Sequence, residues 1–139
     1  AVNRQQWQVR VVDNASYIDG ISAVYKAANP KVEQDADFKN MFRNAPAVIF
    51  IASPKNGVAQ VDCGLMGENI ILAAQSLGLG TCCLGGPVAF MKQNPEAAEY
   101  VEKLQLPDDY ELLYAIGVGY PDESPTAKPR DMGKVKFVD

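Results

Sequence analysis

Residues 45–52 read APAVIFIA, eight positions without a charge or a hydrogen-bonding side chain. A continuous apolar run of that length, bounded by polar residues, predicts a strand buried on both faces and therefore central in a sheet. Tyr110 to Tyr120, YELLYAIGVGY, predicts a second central strand with two internal glycines. These two segments set the frame into which the rest of the chain must fit.

The flanking segments carry weaker periodic signals. Trp7, Val9 and Val11 alternate with Gln8 and Arg10, so residues 7–12 predict a strand, with Trp7 anchoring it in the core. Turn and capping residues at 13–16 precede Ile18, Ile21, Val24, Tyr25 and Ala28, whose helical spacing predicts a helix over 17–28 that Asn29-Pro30 stops. Residues 30–44 are mostly polar and predict a loop with a short helix.

Val61 to Leu77 gives the strongest helix, ended by Gly78 and Gly80. Asp62 and Glu68 read as its cap and surface charges. Thr81 to Leu84 predicts a short buried strand, broken by Gly85-Gly86-Pro87. An amphipathic helix is expected over 95–104, led in by Asn94 with Pro95 first. The segment 121–132 reads as extended, and Val135 to Val138 as a short terminal strand. Without an internal repeat or an interdomain linker, and without strict alternation of strand and helix, the expectation is one α+β domain over 1–139.

Composition narrows the function. A net charge of −4 argues against broad binding to nucleic acid or an anionic membrane surface. The apolar runs are too short to span a bilayer, and no secretory signal pattern is present. Cys63, Cys82 and Cys83 are odd in number, with two adjacent, which fits reduced thiols in the cytoplasm better than a disulfide framework. All three read as small buried apolar residues.

The chain has no histidine. Ser-His-Asp and Cys-His nucleophile systems are excluded, as is every histidine-based metal site. An enzyme of this composition takes its hard chemistry from a bound cofactor.

Five pieces in order then resemble one family. They are the start Asn3-Arg4-Gln5-Gln6-Trp7, the helix segment from Asn69 to Gly80, the turn Leu84 to Gly86, the strand end Ile116 to Pro121, and Lys128 with Arg130. Together they are similar to the FMN-dependent nitroreductases. Gln6 stands where that family usually has proline. The family's leading helix, with its R-R-S-x-R-like motif toward the flavin phosphate and ribityl chain, has no counterpart here, so an N-terminally incomplete domain is expected.

The resemblance implies a nitroreductase-like fold with a mixed, mainly antiparallel sheet flanked by helices. It also implies FMN as cofactor, and a homodimer with flavin between subunits and an exchanged C-terminal strand. Lys128 and Arg130, two apart in an extended stretch, would hold the FMN phosphate; otherwise they are a solvated charged tail. Gly85 and Gly86 would let backbone approach the flavin near N5, with Cys83 and Leu84 lining the ring; otherwise the turn is punctuation. Asn3 and Gln5 would lie near the cofactor, or else form a polar lead into the first strand. Lys39 and Asn40 match the family poorly.

The function implied is hydride transfer from NADH or NADPH, through the flavin, to a small aromatic or quinone-like acceptor such as a nitroaromatic. The alternative is a non-catalytic flavin-binding or interaction protein on the same scaffold.

Overall fold

A computed structural model describes residues 3–138. Ala1 and Val2, where the N-terminal comparison with the family begins, and Asp139 lie outside them.

Among the described residues, four strands form one sheet in the order β1-β2-β4-β3, with every neighbouring pair antiparallel. They are β1 (Gln8–Val12), β2 (Ala47–Pro54), β3 (Gly80–Leu84) and β4 (Tyr110–Gly119). The two apolar segments are thus the central pair, each covered on both faces. A register shift between Ile51 and Ala52 leaves Leu113 as the extra residue of β4, so that the adjacent Leu113 and Tyr114 both face the Ile51 and Ile116 side while Leu112 faces the other.

The helices divide unequally between the faces. On one side α1 (Ala15–Ala27), α4 (Gly86–Gln93) and α5 (Ala98–Glu102) pack with Val48, Phe50, Leu84, Leu112 and Ala115. Phe42 and Phe50 meet edge to face there, with ring centroids 5.7 Å apart, and both are fully buried. Each buried side chain of that size contributes about 1.5–3 kcal/mol. The short α2 (Pro30–Glu33) follows α1. On the other side the long α3 (Gly57–Ser76) covers Ile51 and Ile116 with Cys63, Met66 and Ile70.

Local chemistry sets the helix ends. The side chain of Asn14 accepts from the Tyr17 N–H, and that of Asn56 from the Ala59 N–H. Helix α3 therefore starts four residues earlier than its apolar pattern indicates, and its cap is Asn56 rather than Asp62. It ends at Gly78, whose φ of +75° suits glycine, while the Leu79 N–H returns to the Ala74 carbonyl.

Several expectations are corrected. Gly85-Gly86-Pro87 does not simply end β3; it opens α4, because proline in a first helical turn lacks only an N–H that the helix does not use. The 95–104 helix is shorter, a 3-10 turn over Pro95–Ala97 running into α5. Strand β3 lies at the sheet edge, so Cys82 and Cys83 are exposed and only Cys63 is buried. Trp7 precedes the other edge strand and is 37% exposed, so it is not a core anchor. Val135 to Val138 form no strand; the tail makes a 3-10 turn at Met132–Lys134 and stays exposed.

Candidate functional site

The turn after β3 presents open backbone that chemistry could use. Leu84 is buried against Ala115 and anchors the strand end, while Gly85 and Gly86 are exposed. A Cβ on either glycine would meet nothing within 4 Å. The first N–H to bond back inside α4 is that of Ala89, which donates to the Gly85 carbonyl at 2.9 Å. The N–H groups ahead of it have no partner within the helix and face outward with its positive end. A flat, electron-accepting ligand could therefore lie against the turn and receive backbone N–H groups.

Cys83 precedes this turn on the α3 side of the sheet, opposite Ile116. Although Cys83 is exposed, its neighbours on the sheet desolvate the thiol in part and raise its pKa, and Cys82 and Glu68 push it further the same way. It stays a neutral thiol, a soft wall rather than a nucleophile.

Asn3 and Gln5 stand elsewhere. Both are exposed with φ of +50°, and the Gln5 side-chain amide donates to Asn3 Oδ1 at 2.9 Å. They lead into β1, three inter-strand gaps from β3, or about 14 Å at ordinary strand spacing. Lys128 and Arg130 lie in the exposed tail that leaves the far end of β4, and the Arg130 guanidinium folds back on the Lys128 carbonyl at 2.8 Å. One chain thus brings together only the turn residues 83–86. The amide pair and the cation pair are each assembled locally and stand apart from it.

Asn40 is occupied in building a turn. Its amide donates to the Ala45 carbonyl and its oxygen accepts from the Phe42 N–H, while Asn44 Oδ1 receives the N–H groups of Lys39 and Asn40. This network holds Arg43 and Asn44 in the left-handed region.

The broad apolar coverage of α3 extends to its outer side. Val58, Val61, Leu65 and Leu72 are all more than half exposed. Their spacing of three, four and seven residues puts them on one stripe. Ala59, Cys63, Gly67 and Ala74 occupy the opposite, buried stripe. The helix is apolar on both sides, and the spacing of the outer stripe was visible in the sequence. The tail adds exposed Met132, Val135, Phe137 and Val138. No described helix is long and apolar enough to cross a membrane.

Comparison with known proteins places this architecture. The model of the Nitroreductase family matches residues 1–120. The chain is 38% identical over 73 residues to the NADPH-flavin oxidoreductase of Vibrio harveyi, a match covering 52% of this chain and 28% of that protein. It is 33% identical over 95 residues to the oxygen-insensitive NADPH nitroreductase of Salmonella typhimurium, covering 68% and 37%. The chain thus spans well under half the length of these curated relatives.

Among solved structures, a nitroreductase with bound FMN from Desulfitobacterium hafniense superposes with a TM-score of 0.81 at 26% identity, over 99% of this chain and 78% of that one. A nitroreductase with bound FMN from Bacteroides fragilis has the same TM-score at 20% identity, over 100% and 79%, and shows the shared fold. With a family model covering most of its length and the same sheet and helices in solved members, this chain belongs to the Nitroreductase family.

Proposed function

We propose that the protein is an FMN-dependent oxidoreductase that passes hydride from NADH or NADPH to a small aromatic or quinone-like acceptor, and that it works as a homodimer. The observation that carries this reading is the open Gly85–Gly86 turn at the end of β3, in a chain whose relatives are reductases of flavin and nitro compounds and whose structural neighbours hold FMN. Bound FMN would supply hydride chemistry at its N5.

The residues of this chain supply position and charge. The Gly85 and Gly86 backbone would face the ring near N5, with Cys83 and Leu84 as its wall. Lys128 and Arg130 would neutralise the phosphate, the guanidinium by a two-pronged hydrogen bond and the ammonium as a point charge. Asn3 and Gln5 would supply amide contacts. These three groups are separated within one chain, and the tail carrying the cations is exposed. A second copy, packed on the outer stripe of α3 and exchanging its C-terminal segment, would complete the site. A catalytic side-chain base is not required, so the lack of histidine does not count against this chemistry. With Cys63, Cys82 and Cys83 all free, we place the protein in the cytoplasm.

The test is a titration with FMN followed by flavin fluorescence, on the protein and on Arg130→Ala. Saturable binding, weakened about tenfold or more by loss of a charge-assisted pair, is expected. Oxidation of NADH or NADPH by the loaded protein is expected as well. Binding that ignores Arg130 would move the phosphate site. Flavin-loaded protein that oxidises neither nicotinamide would favour the non-catalytic alternative.

A further inference from the structure

Asn56 is followed by Gly57, the one asparagine–glycine step in the chain. The side-chain carbonyl of an asparagine can be attacked by the backbone nitrogen of the next residue, and a side chain on that residue hinders the approach. Glycine offers no hindrance and the freest backbone. Asn29 and Asn94 are followed by proline, which has no N–H to give up.

The fold puts this step where the attack can proceed. Asn56 caps α3 and Gly57 is its first residue, so the Gly57 N–H has no acceptor within the helix. Residues 55–58 are all exposed, and a Cβ on Gly57 would meet nothing within 4 Å. The side chain is held by its cap bond, Oδ1 accepting from the Ala59 N–H at 2.9 Å. With the Asn56 ψ at 141°, the Gly57 nitrogen must swing toward Cγ before it can add. Helix ends fray, and this first turn buries no side chain ahead of Ala59, so the swing is open to it.

We propose that Asn56 is a site of spontaneous deamidation, with one product preserving the start of α3 and the other loosening it. The Gly57 nitrogen adds to Asn56 Cγ and gives its proton to solvent. The Cγ–Nδ2 bond breaks and ammonia leaves, closing a five-membered imide. Water then opens the imide at Cγ to give aspartate, or at the backbone carbonyl to give isoaspartate. Nothing is oxidised or reduced. Either product makes the chain one charge more negative than its present −4. Aspartate keeps the cap acceptor and sets a negative charge at the positive end of the helix. Isoaspartate routes the main chain through the former side chain. The cap on Ala59 is then lost, and an extra CH2 enters just ahead of Val58 and Val61, where the outer stripe begins. None of this involves residues 83–86 or the tail cations, so the proposal stands independently of the flavin reading.

The protein is held in warm, mildly alkaline buffer with its thiols reduced, and the more acidic species are collected by anion exchange. Electron-transfer fragmentation of their peptides locates the change and separates aspartate from isoaspartate. Asn14 is an internal control: it is exposed and caps α1 through the Tyr17 N–H, but Ala15 follows it. Conversion at Asn56 should outrun that at Asn14 about tenfold or more. Gly57→Ala, whose methyl enters open space, should slow it by a similar factor. Asn56→Ser keeps a cap oxygen without an amide and should form no acidic species at this position. The separated aspartate form should unfold at the urea midpoint of the parent or above, and the isoaspartate form below it. The proposal is overturned if Asn14 or Asn69 converts first, if Gly57→Ala converts as fast as the parent, or if the isoaspartate form keeps the parent's midpoint. It is also overturned by an Asn56 still intact long after a free peptide of residues 53–60 has converted, whether the cap bond or a second copy protects it.

Discussion

The phenol of Tyr114 donates to the backbone carbonyl of Cys63 across 2.7 Å, tying the central strand β4 to α3. The bond passes directly over Gly67, where any Cβ would overlap the Tyr114 hydroxyl. On a face covered by one helix, this contact fixes how that helix sits on the sheet.

Gly67→Ala should therefore destabilise the protein although alanine is the better helix former by about 1 kcal/mol. Displacing the phenol is expected to cost about 1–3 kcal/mol net, and Tyr114→Phe about 1 kcal/mol. Combined, the two should cost less than their sum, since the phenyl ring leaves room for the methyl. Urea midpoints of the four proteins measure this; simple additivity would show that the two residues do not interact.

The same phenol gives stability an alkaline limit. Burial, reinforced by Cys83 and Cys63, pushes the Tyr114 pKa up to about 12 from its ordinary 10.0. A folded-state pKa above the unfolded one means a contribution fully present below pH 10 and lost as pH rises through 12. Tyr17 is raised in the same direction by burial and by Tyr100, and its hydroxyl donates to the Tyr100 carbonyl. Unfolding free energy against pH should fall across this range, and less steeply in Tyr17→Phe/Tyr114→Phe. A double variant with the same alkaline slope as the parent would contradict the assignment.

Arg10 joins β1 to the chain beyond α5 by donating to Leu104 and Gln105. Arg10→Ala leaves both carbonyls short of a charged donor and should cost about 1.5–3 kcal/mol. Arg10→Lys should recover only part, because one ammonium does not reproduce a planar fork spanning two acceptors. Thermal melts of the three forms distinguish a clamp from a surface charge, for which both variants would behave like the parent.

For the outer stripe of α3, Leu65→Glu/Leu72→Glu places two carboxylates on the surface proposed to meet a second copy. Losing two leucines from an interface, at about 1.5–3 kcal/mol each, should weaken association at least a hundredfold. The fold of one copy should survive, since both positions are more than half exposed in it. Sedimentation velocity across a concentration series reads the result. A parent that stays monomeric at every concentration would defeat the dimer reading outright.

The central strands were legible because burial on both faces removes polar residues altogether, as in residues 45–52. Helix α3 was legible in its body but not at its start, which Asn56 fixes through a single cap bond outside the apolar pattern. Helix α4 was missed because Gly-Gly-Pro punctuates a strand and opens a helix equally well. The exposure of Cys82 and Cys83 could not be read locally, since it follows from β3 being at the edge, a matter of strand order. For the candidate site, the 83–86 turn is contiguous in sequence and the fold keeps it together. Asn3, Gln5, Lys128 and Arg130 lie apart from it in the fold, a separation set by strand order and by the course of the exposed tail, which no local pattern encodes.

Strand β4 is the last of the four to leave the ribosome, yet it lies between β2 and β3, which do not touch each other. Until residues 110–119 emerge, β3 has no neighbour and β2 has only β1. The apolar surfaces meant for Ala115 and Ile116 then remain uncovered after the other three strands are made. Such a nascent chain is a natural client for a holding chaperone, and a stop codon just before Tyr110 should be far more damaging than one just after Tyr120.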